Sequence, residues 1–237
     1  MSLKYSRVLL KFSGEALMGS GDFGLDSATL RQVVGEVKTL RGLGVEVGIV
    51  VGGGNIFRGA QIAGAGIART TGDQMGMMAT VINALALRDV VEDMEMDAVV
   101  YSAMSIEGVS HGFHANQVQK DLKQGKVVIF AAGTGSPFFT TDTAAALRGI
   151  EIDAQLVMKA TKVDGIYTAD PMKDPSAERY SELSFDEVIA KNLQVMDMAA
   201  FVLCREHNMP IRVFDMFKKD AVVRIVKGED EGTLVRP

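Results

Sequence analysis

The feature that most constrains this chain is the alternation of short apolar runs with longer stretches of 3.6-residue periodicity. The apolar runs occupy residues 7–12, 45–51, 98–101, 127–131, 155–159 and 211–214. Runs of this kind, lacking a clear inside–outside alternation, suit strands covered on both faces, the habit of parallel sheets. Helical stretches at 26–43, 73–94, 115–123 and 197–207 lie between them. Asp26 or Ser27 can cap the first, and Gly42 and Gly44 can stop it. Such alternation predicts right-handed crossovers and an α/β fold, a three-layer α/β/α sandwich with a mainly parallel central sheet. The runs 222–226 and 233–235 flank Gly228-Glu229-Asp230-Glu231-Gly232 and predict a hairpin at the sheet edge. The polar segment 168–184, with Pro171 and Pro175, reads as a surface loop. No linker or repeat divides the 237 residues, so one domain with an N-terminal and a C-terminal lobe is expected.

In open parallel sheets, ligands sit beyond the carboxyl ends of the strands. Several predicted strands end here in unusual turns: Lys11-Phe12-Ser13-Gly14-Glu15, Gly52-Gly53-Gly54-Asn55 with Arg58-Gly59 following, and Lys159-Ala160-Thr161-Lys162. After the run 127–131 comes Ala132-Gly133-Thr134-Gly135-Ser136-Pro137-Phe138-Phe139-Thr140-Thr141-Asp142-Thr143, which leads directly into a helical alanine run. Glycines let backbone N–H groups approach an anion, and a helix N-terminus adds unpaired donors and a positive dipole end. In a parallel sheet these turns share one rim, and Lys11, Arg58, Lys159 and Lys162 supply cations around them. The convergence predicts a nucleotide phosphate site. Asp142 fits simple anion binding poorly unless it holds a lysine or a magnesium ion, and it equally suits a helix N-cap. Asp73, after Thr70-Thr71-Gly72, has the same two readings, the functional one being a ribose partner.

Other patterns are set aside by context. Gly19-Ser20-Gly21-Asp22-Phe23-Gly24 matches G-x-G-x-x-G but does not directly follow a strand, so it reads as a flexible loop rather than a dinucleotide fingerprint. Gly108-Val109-Ser110-His111-Gly112 matches a nucleophile elbow, yet Ser105-Ile106-Glu107 before it is a poor strand. His111 and His114 have no third histidine or cysteine nearby for zinc. Walker A and protein-kinase motifs are missing. A net charge of −5 with interspersed signs argues against a broad nucleic-acid face. A single cysteine, Cys204, excludes an internal disulfide and is expected in the core, as are most of the 14 methionines. The start of the chain leads straight into a strand and no long apolar span occurs, so a cytoplasmic protein without membrane association is expected.

Taken together and in order, the motifs at 11–15, 52–59 and 133–145, and Lys159-Ala160-Thr161-Lys162-Val163-Asp164-Gly165-Ile166-Tyr167-Thr168-Ala169-Asp170-Pro171, resemble the bacterial uridylate (UMP) kinases of the amino acid kinase superfamily. The glycine triplet alone would indicate only the superfamily; the run Pro137 to Thr143 is the mark of the uridylate branch. One departure is Ser136, where the family pattern has Asn. The resemblance implies an amino acid kinase-like fold and the reaction ATP + UMP → ADP + UDP with Mg2+. It implies that Lys11, Phe12, Ser13, Gly14, Gly54 and Arg58 meet the ATP phosphates, and that Thr161, Tyr167 and Asp170 hold the adenosine end. Gly53, Asp73, Thr134, Gly135, Ser136, Pro137, Phe138, Phe139, Thr140 and Thr141 would hold UMP. Lys11, Arg58 and Asp142 would be the catalytic set, with Asp142 organising the lysines, and whether any side chain ligates the metal is left open. It further implies a homohexamer activated by GTP and inhibited by UTP, with Gly19, Ser20, Gly21, Asp22, Phe23 and Gly24 in the GTP-response segment. Two readings remain beside it: an acyl-phosphate-forming kinase of the same fold acting on an amino acid or carbamate, and a non-catalytic nucleotide or oxyanion sensor.

Overall fold

Strand β1 (Arg7–Phe12) shows why this sheet is buried on both faces: Val8, Leu10 and Phe12 enter one apolar cluster while Leu9 enters the other. β2 (Glu46–Val51) divides in the same way, Val47, Ile49 and Val51 against Val50. This computed structural model describes residues 3–57, 66–193 and 195–237. β1 and β2 belong to a nine-stranded sheet that also contains β3 (Ala98–Ser102), β4 (His111–Gly112), β5 (Val127–Ala131), β6 (Leu156–Thr161), β9 (Glu182–Ser184), β10 (Ile211–Asp215) and β11 (Thr233–Arg236). Its order is β4-β3-β5-β2-β1-β6-β10-β11-β9, and only the β10–β11 pairing is antiparallel. A separate antiparallel ribbon pairs β7 (Ile166–Tyr167) with β8 (Arg179–Tyr180).

The helices form two outer layers. Those packed on one face are α1 (Ser27–Gly42), α2 (Arg69–Asp93) and α7 (Ala221–Lys227). On the other face lie α3 (Ala115–Lys123), α4 (Thr141–Glu151), α5 (Phe185–Ala190) and α6 (Met198–Glu206). The three-layer sandwich is therefore as expected, and Asp26 caps α1 by accepting from Thr29 N at 2.7 Å. α4 lies close to the sheet because its inner face is Ala144, Ala145, Ala146 and Gly149, all buried. A Cβ at Gly149 would meet Val157 Cγ2 at 2.8 Å. This thin face brings the start of α4 within side-chain reach of the strand ends.

Five expectations need correction. Residues 222–226 are helical, not a hairpin strand: Val222, Ile225 and Val226 face the core at helical spacing, and Gly228, at φ 82°, closes the helix. The strand 233–235 exists as β11, but its antiparallel partner is β10. Segment 168–184 is not all loop, because β8 returns to β7 and β9 forms the sheet edge, where Leu183 alone is buried. A single inward residue is too weak a pattern to see in sequence. Asp73 does not open its helix, which starts at Arg69 after Ala68. Cys204 is buried as expected; of the methionines, Met77, Met158, Met196, Met209 and Met216 are buried, Met94, Met96 and Met104 are partly buried against the core, and Met75, Met78, Met172 and Met198 are exposed, so fewer are core residues than expected.

Gly149→Leu should destabilise the fold by about 1–3 kcal/mol, because a well-packed helix face has no space for the added carbons. Equilibrium urea unfolding checks it, and an unchanged midpoint would contradict the packing described.

Candidate active site

β5, β2, β1 and β6 are parallel neighbours, so their carboxyl ends share one rim. Four expected turns therefore do meet. Lys11 and Lys159 are register partners on β1 and β6, and both point to the α4 face, like Leu9 and Val157 two residues earlier. Between them stands Asp142. Lys11 Nζ lies 2.8 Å from Asp142 Oδ1, and Lys159 Nζ lies 2.7 Å from Oδ2 while also donating to the Val195 carbonyl. All three side chains are largely buried. The N-cap of α4 is Thr140, whose hydroxyl accepts from Asp142 N, so Asp142 is not the cap itself.

Electrostatics follow from that sharing. Burial alone would raise the Asp142 carboxyl, but the two ammonium groups outweigh it and hold it below the ordinary carboxylate range. Burial and the neighbouring Lys11 push Lys159 below the ordinary lysine range, against the pull of Asp142. One carboxylate between two ammonium groups leaves a net positive charge in a largely dry place, reduced by the Asp197 carboxylate acting on Lys159. An anion arriving there completes the charge balance.

Two cavities are lined by the turns around the cluster. One, of about 440 Å³, is lined by Gly53, Asp73, Thr134, Ser136, Phe139 and Thr140 among others, including Gly54 and Thr141. Gly135, Pro137 and Phe138 belong to the same loop without lining it; the Phe138 ring is exposed, and Phe138 N donates to Asp73 Oδ2 at 2.8 Å. Burial tends to raise the Asp73 carboxyl, but this N–H and Arg69 lower it overall. The other cavity, of about 600 Å³, is lined by Thr161, Tyr167, Asp170, Asn192, Leu193 and Val195 among others. The Tyr167 hydroxyl donates to Asp164, which raises its pKa.

The turn after β1 packs directly on the turn after β2. Ser13 caps a 3-10 turn, Gly14–Leu17, by accepting from Ala16 N. A Cβ on Gly14 would sit 2.7 Å from Gly54 N and 2.8 Å from Gly52 O, so only glycine permits the approach. Phe12 is buried beneath. Lys162 stays exposed on its turn. Arg58, with Gly59, lies outside the described residues. The segment Gly19 to Gly24 is tied to the β2 turn by Gly24 N, which donates to Asn55 O at 2.9 Å, and its Phe23 ring is exposed.

Sequence reasoning missed several positioning groups. Asp197 caps α6 and also accepts from Thr143 N at 3.2 Å and from the Thr140 and Thr143 hydroxyls, tying α6 to the start of α4. The cap was legible as an Asp before a helical run; its second role was not. The Thr80 hydroxyl on α2 accepts from Ala132 N at 2.8 Å, where the backbone turns through φ 60°. Among the described residues no three His, Cys, Asp or Glu side chains gather as a metal cage. Both Asp142 oxygens face lysines, so the residues present suit magnesium carried on nucleotide phosphates better than a metal held by Asp142.

Asp142→Asn should lower kcat by about a hundredfold or more, since two buried ammonium groups then lose their organiser. Folding lowers the Asp142 pKa, so its contribution to stability is complete above about pH 4 and is lost as pH falls through the lowered value. The gap in urea midpoint between wild type and Asp142→Asn should therefore narrow on acidification below about pH 4. A gap independent of pH would count against the charged pair.

Comparison with known proteins agrees with this geometry. The sequence model of the amino acid kinase family matches residues 6–215. A uridylate kinase of Hydrogenovibrio crunogenus is 83% identical over 235 residues, covering 99% of this chain and 100% of that protein. One from Ectopseudomonas mendocina is 58% identical over 232 residues, covering 98% and 94%. Among solved structures, UMP kinase from Bacillus anthracis superposes with a TM-score of 0.95 at 37% identity, covering 98% of this chain and 96% of that one. UMP kinase from Ureaplasma parvum gives 0.92 at 33% identity, covering 99% and 100%. The chain belongs to the uridylate kinases of the amino acid kinase family.

Proposed function

We propose that this protein transfers the γ-phosphoryl group of ATP to UMP, giving ADP and UDP, a phosphotransferase step of pyrimidine nucleotide biosynthesis. The observation that carries the reading is Asp142 shared between buried Lys11 and Lys159, with one cavity reaching Thr141 beside Asp142 and another reaching Val195, the carbonyl partner of Lys159. Lys11, Phe12, Ser13, Gly14, Gly54 and Arg58 receive the ATP phosphates; Thr161, Tyr167 and Asp170 receive adenosine. Gly53, Asp73 and the loop Thr134 to Thr141 receive UMP. The N-terminal lobe is thus the acceptor side and the C-terminal lobe the ATP side.

The acceptor atom is a phosphate oxygen, already largely ionised at neutral pH, so no general base is required. The work left to the chain is alignment and charge neutralisation. Lys11, held by Asp142, and Arg58 neutralise the transferring group, while the glycine turns offer backbone N–H donors. Magnesium travels with ATP and supplies charge neutralisation at the phosphates. We extend the proposal to a cytoplasmic homohexamer activated by GTP and inhibited by UTP, with residues 19–24 as the GTP-response segment and neither nucleic acid nor membrane as partner. The exposed Met75, Met78 and Ile82 along α2 support assembly, and the Gly24–Asn55 bond supports communication between that segment and the phosphate turn.

An ADP-release assay over nucleoside monophosphates, amino acids and carbamate tests this, with UMP expected to stimulate release far above the others. Release driven by an amino acid or carbamate would favour an acyl-phosphate kinase, and ATP binding without acceptor-dependent release a sensor; either overturns the proposal. Chelation of magnesium should abolish turnover. Arg58→Ala should cut kcat by about a hundredfold while shifting stability little, and unchanged turnover would remove Arg58 from the mechanism.

A further inference from the structure

Two buried carboxamides stand where α2 meets the glycine turns. Asn83 is fully buried on a helix whose neighbouring inward residues are Thr80, Ala84 and Leu87. A buried amide is costly unless its hydrogen bonds are made. Here they are. Asn83 Nδ2 donates to Gly52 O at 2.7 Å and to Asn55 Oδ1 at 2.6 Å. Asn55, 1% exposed, returns a bond from Nδ2 to Asn83 Oδ1 at 3.0 Å and spends its other hydrogen on Gly24 O at 2.9 Å. The pair is reciprocal and uses every amide hydrogen of both side chains. Its targets are the first glycine of the β2 turn and the last residue of the 19–24 segment. Asn55 Oδ1 also lies 2.4 Å from where a Cβ on Gly14 would stand. The same pair therefore borders both phosphate turns.

We infer that Asn83, through Asn55, is a positioning residue for phosphoryl transfer: it fixes the Gly52–Gly54 turn against the Ser13–Gly14 turn without touching either nucleotide. This rests on the phosphoryl-transfer function proposed above. α2 is suited to the task because it is anchored elsewhere on the rim, through Thr80 to Ala132 and through Asp73 to Phe138. Loss of the pair loosens the backbone donors that meet transferring phosphate and leaves the Asp73 end of the helix in place. The effect should then fall mainly on kcat, where both nucleotides must be aligned, with smaller changes in the KM for ATP and, through Gly53, in the KM for UMP.

The test compares Asn83→Ala, Asn55→Ala, the double variant and Asn83→Asp with Leu87→Ala, a purely apolar cavity one turn along the same helix. kcat, both KM values and thermal unfolding are measured for each, on full-length protein. Asn83→Ala should lose kcat at least tenfold with both KM values changed by less than that factor, and the double variant should be no slower than the single ones. Leu87→Ala should keep kcat within twofold at a temperature where it is folded, even if its unfolding temperature drops as far. Asn83→Asp sets a carboxylate against Gly52 O and Asn55 Oδ1, whereas its protonated form regains a donor. Its activity relative to wild type should therefore rise severalfold from pH 8 to pH 5.5, a signature that lost packing would not produce. The proposal is overturned if Asn83→Ala and Leu87→Ala have equal kcat when folded, or if the Asn83→Asp ratio is flat with pH. Should Asn83→Ala fail to fold, Asn55→Ala and Asn83→Asp carry the same comparison. Failure of the underlying function would appear separately, as absence of UMP-dependent ADP release in wild type.

Discussion

Two lysines on neighbouring strands cannot stay buried side by side unless something negative stands between them. Asp142 meets that constraint for Lys11 and Lys159. The requirement reaches far into the fold. β1 and β6 must pair in the register that sets the lysines level, and α4 must start at the rim and lie flat on the sheet. The alanine and glycine face of α4 makes that approach possible, and Thr140 and Asp197 fix its first turn. The result is a partly neutralised cationic centre, suited to an anion that comes and goes rather than to a permanent ion pair.

The second organising element is α2. Along one helix it holds Phe138 N through Asp73, Ala132 N through Thr80, and Gly52 O through Asn83. These contacts belong to two different loops from two different strands, β5 and β2. A rigid helix is a sound way to keep flexible glycine turns in one arrangement, since glycine itself supplies no side-chain packing to do so. The pattern also accounts for a long helix that is only weakly amphipathic. Its inner side is part core and part scaffold, while Met75, Met78 and Ile82 remain exposed.

Much of this was legible in the residues. Apolar runs without alternation correctly indicated a parallel sheet, and glycines and hydroxyls at successive strand ends correctly indicated a shared rim. The errors have physical causes. Residues 222–226 gave an apolar run too short to tell period 2 from period 3.6, and the helix was decided by the packing of Val222, Ile225 and Val226 on the core. β9 carries one inward side chain, and β8 pairs only with a ribbon outside the main sheet, so neither leaves a hydrophobic trace. Asp142 and Asp73 each offered a capping role that local sequence could not distinguish from a tertiary one.

By itself the sequence determined the layer architecture, the positions of the rim turns and the residue types gathered there, because periodicity and glycine chemistry are local properties. Through its motifs it also determined the family. Only the tertiary structure decided which charges neutralise which, that Asp142 serves two lysines rather than a cap, and that Asn55 and Asn83 close on one another. Those contacts join residues far apart in the chain, 28 positions in the case of the amides, and their geometry is set by strand register and helix packing. No short stretch of sequence contains that information.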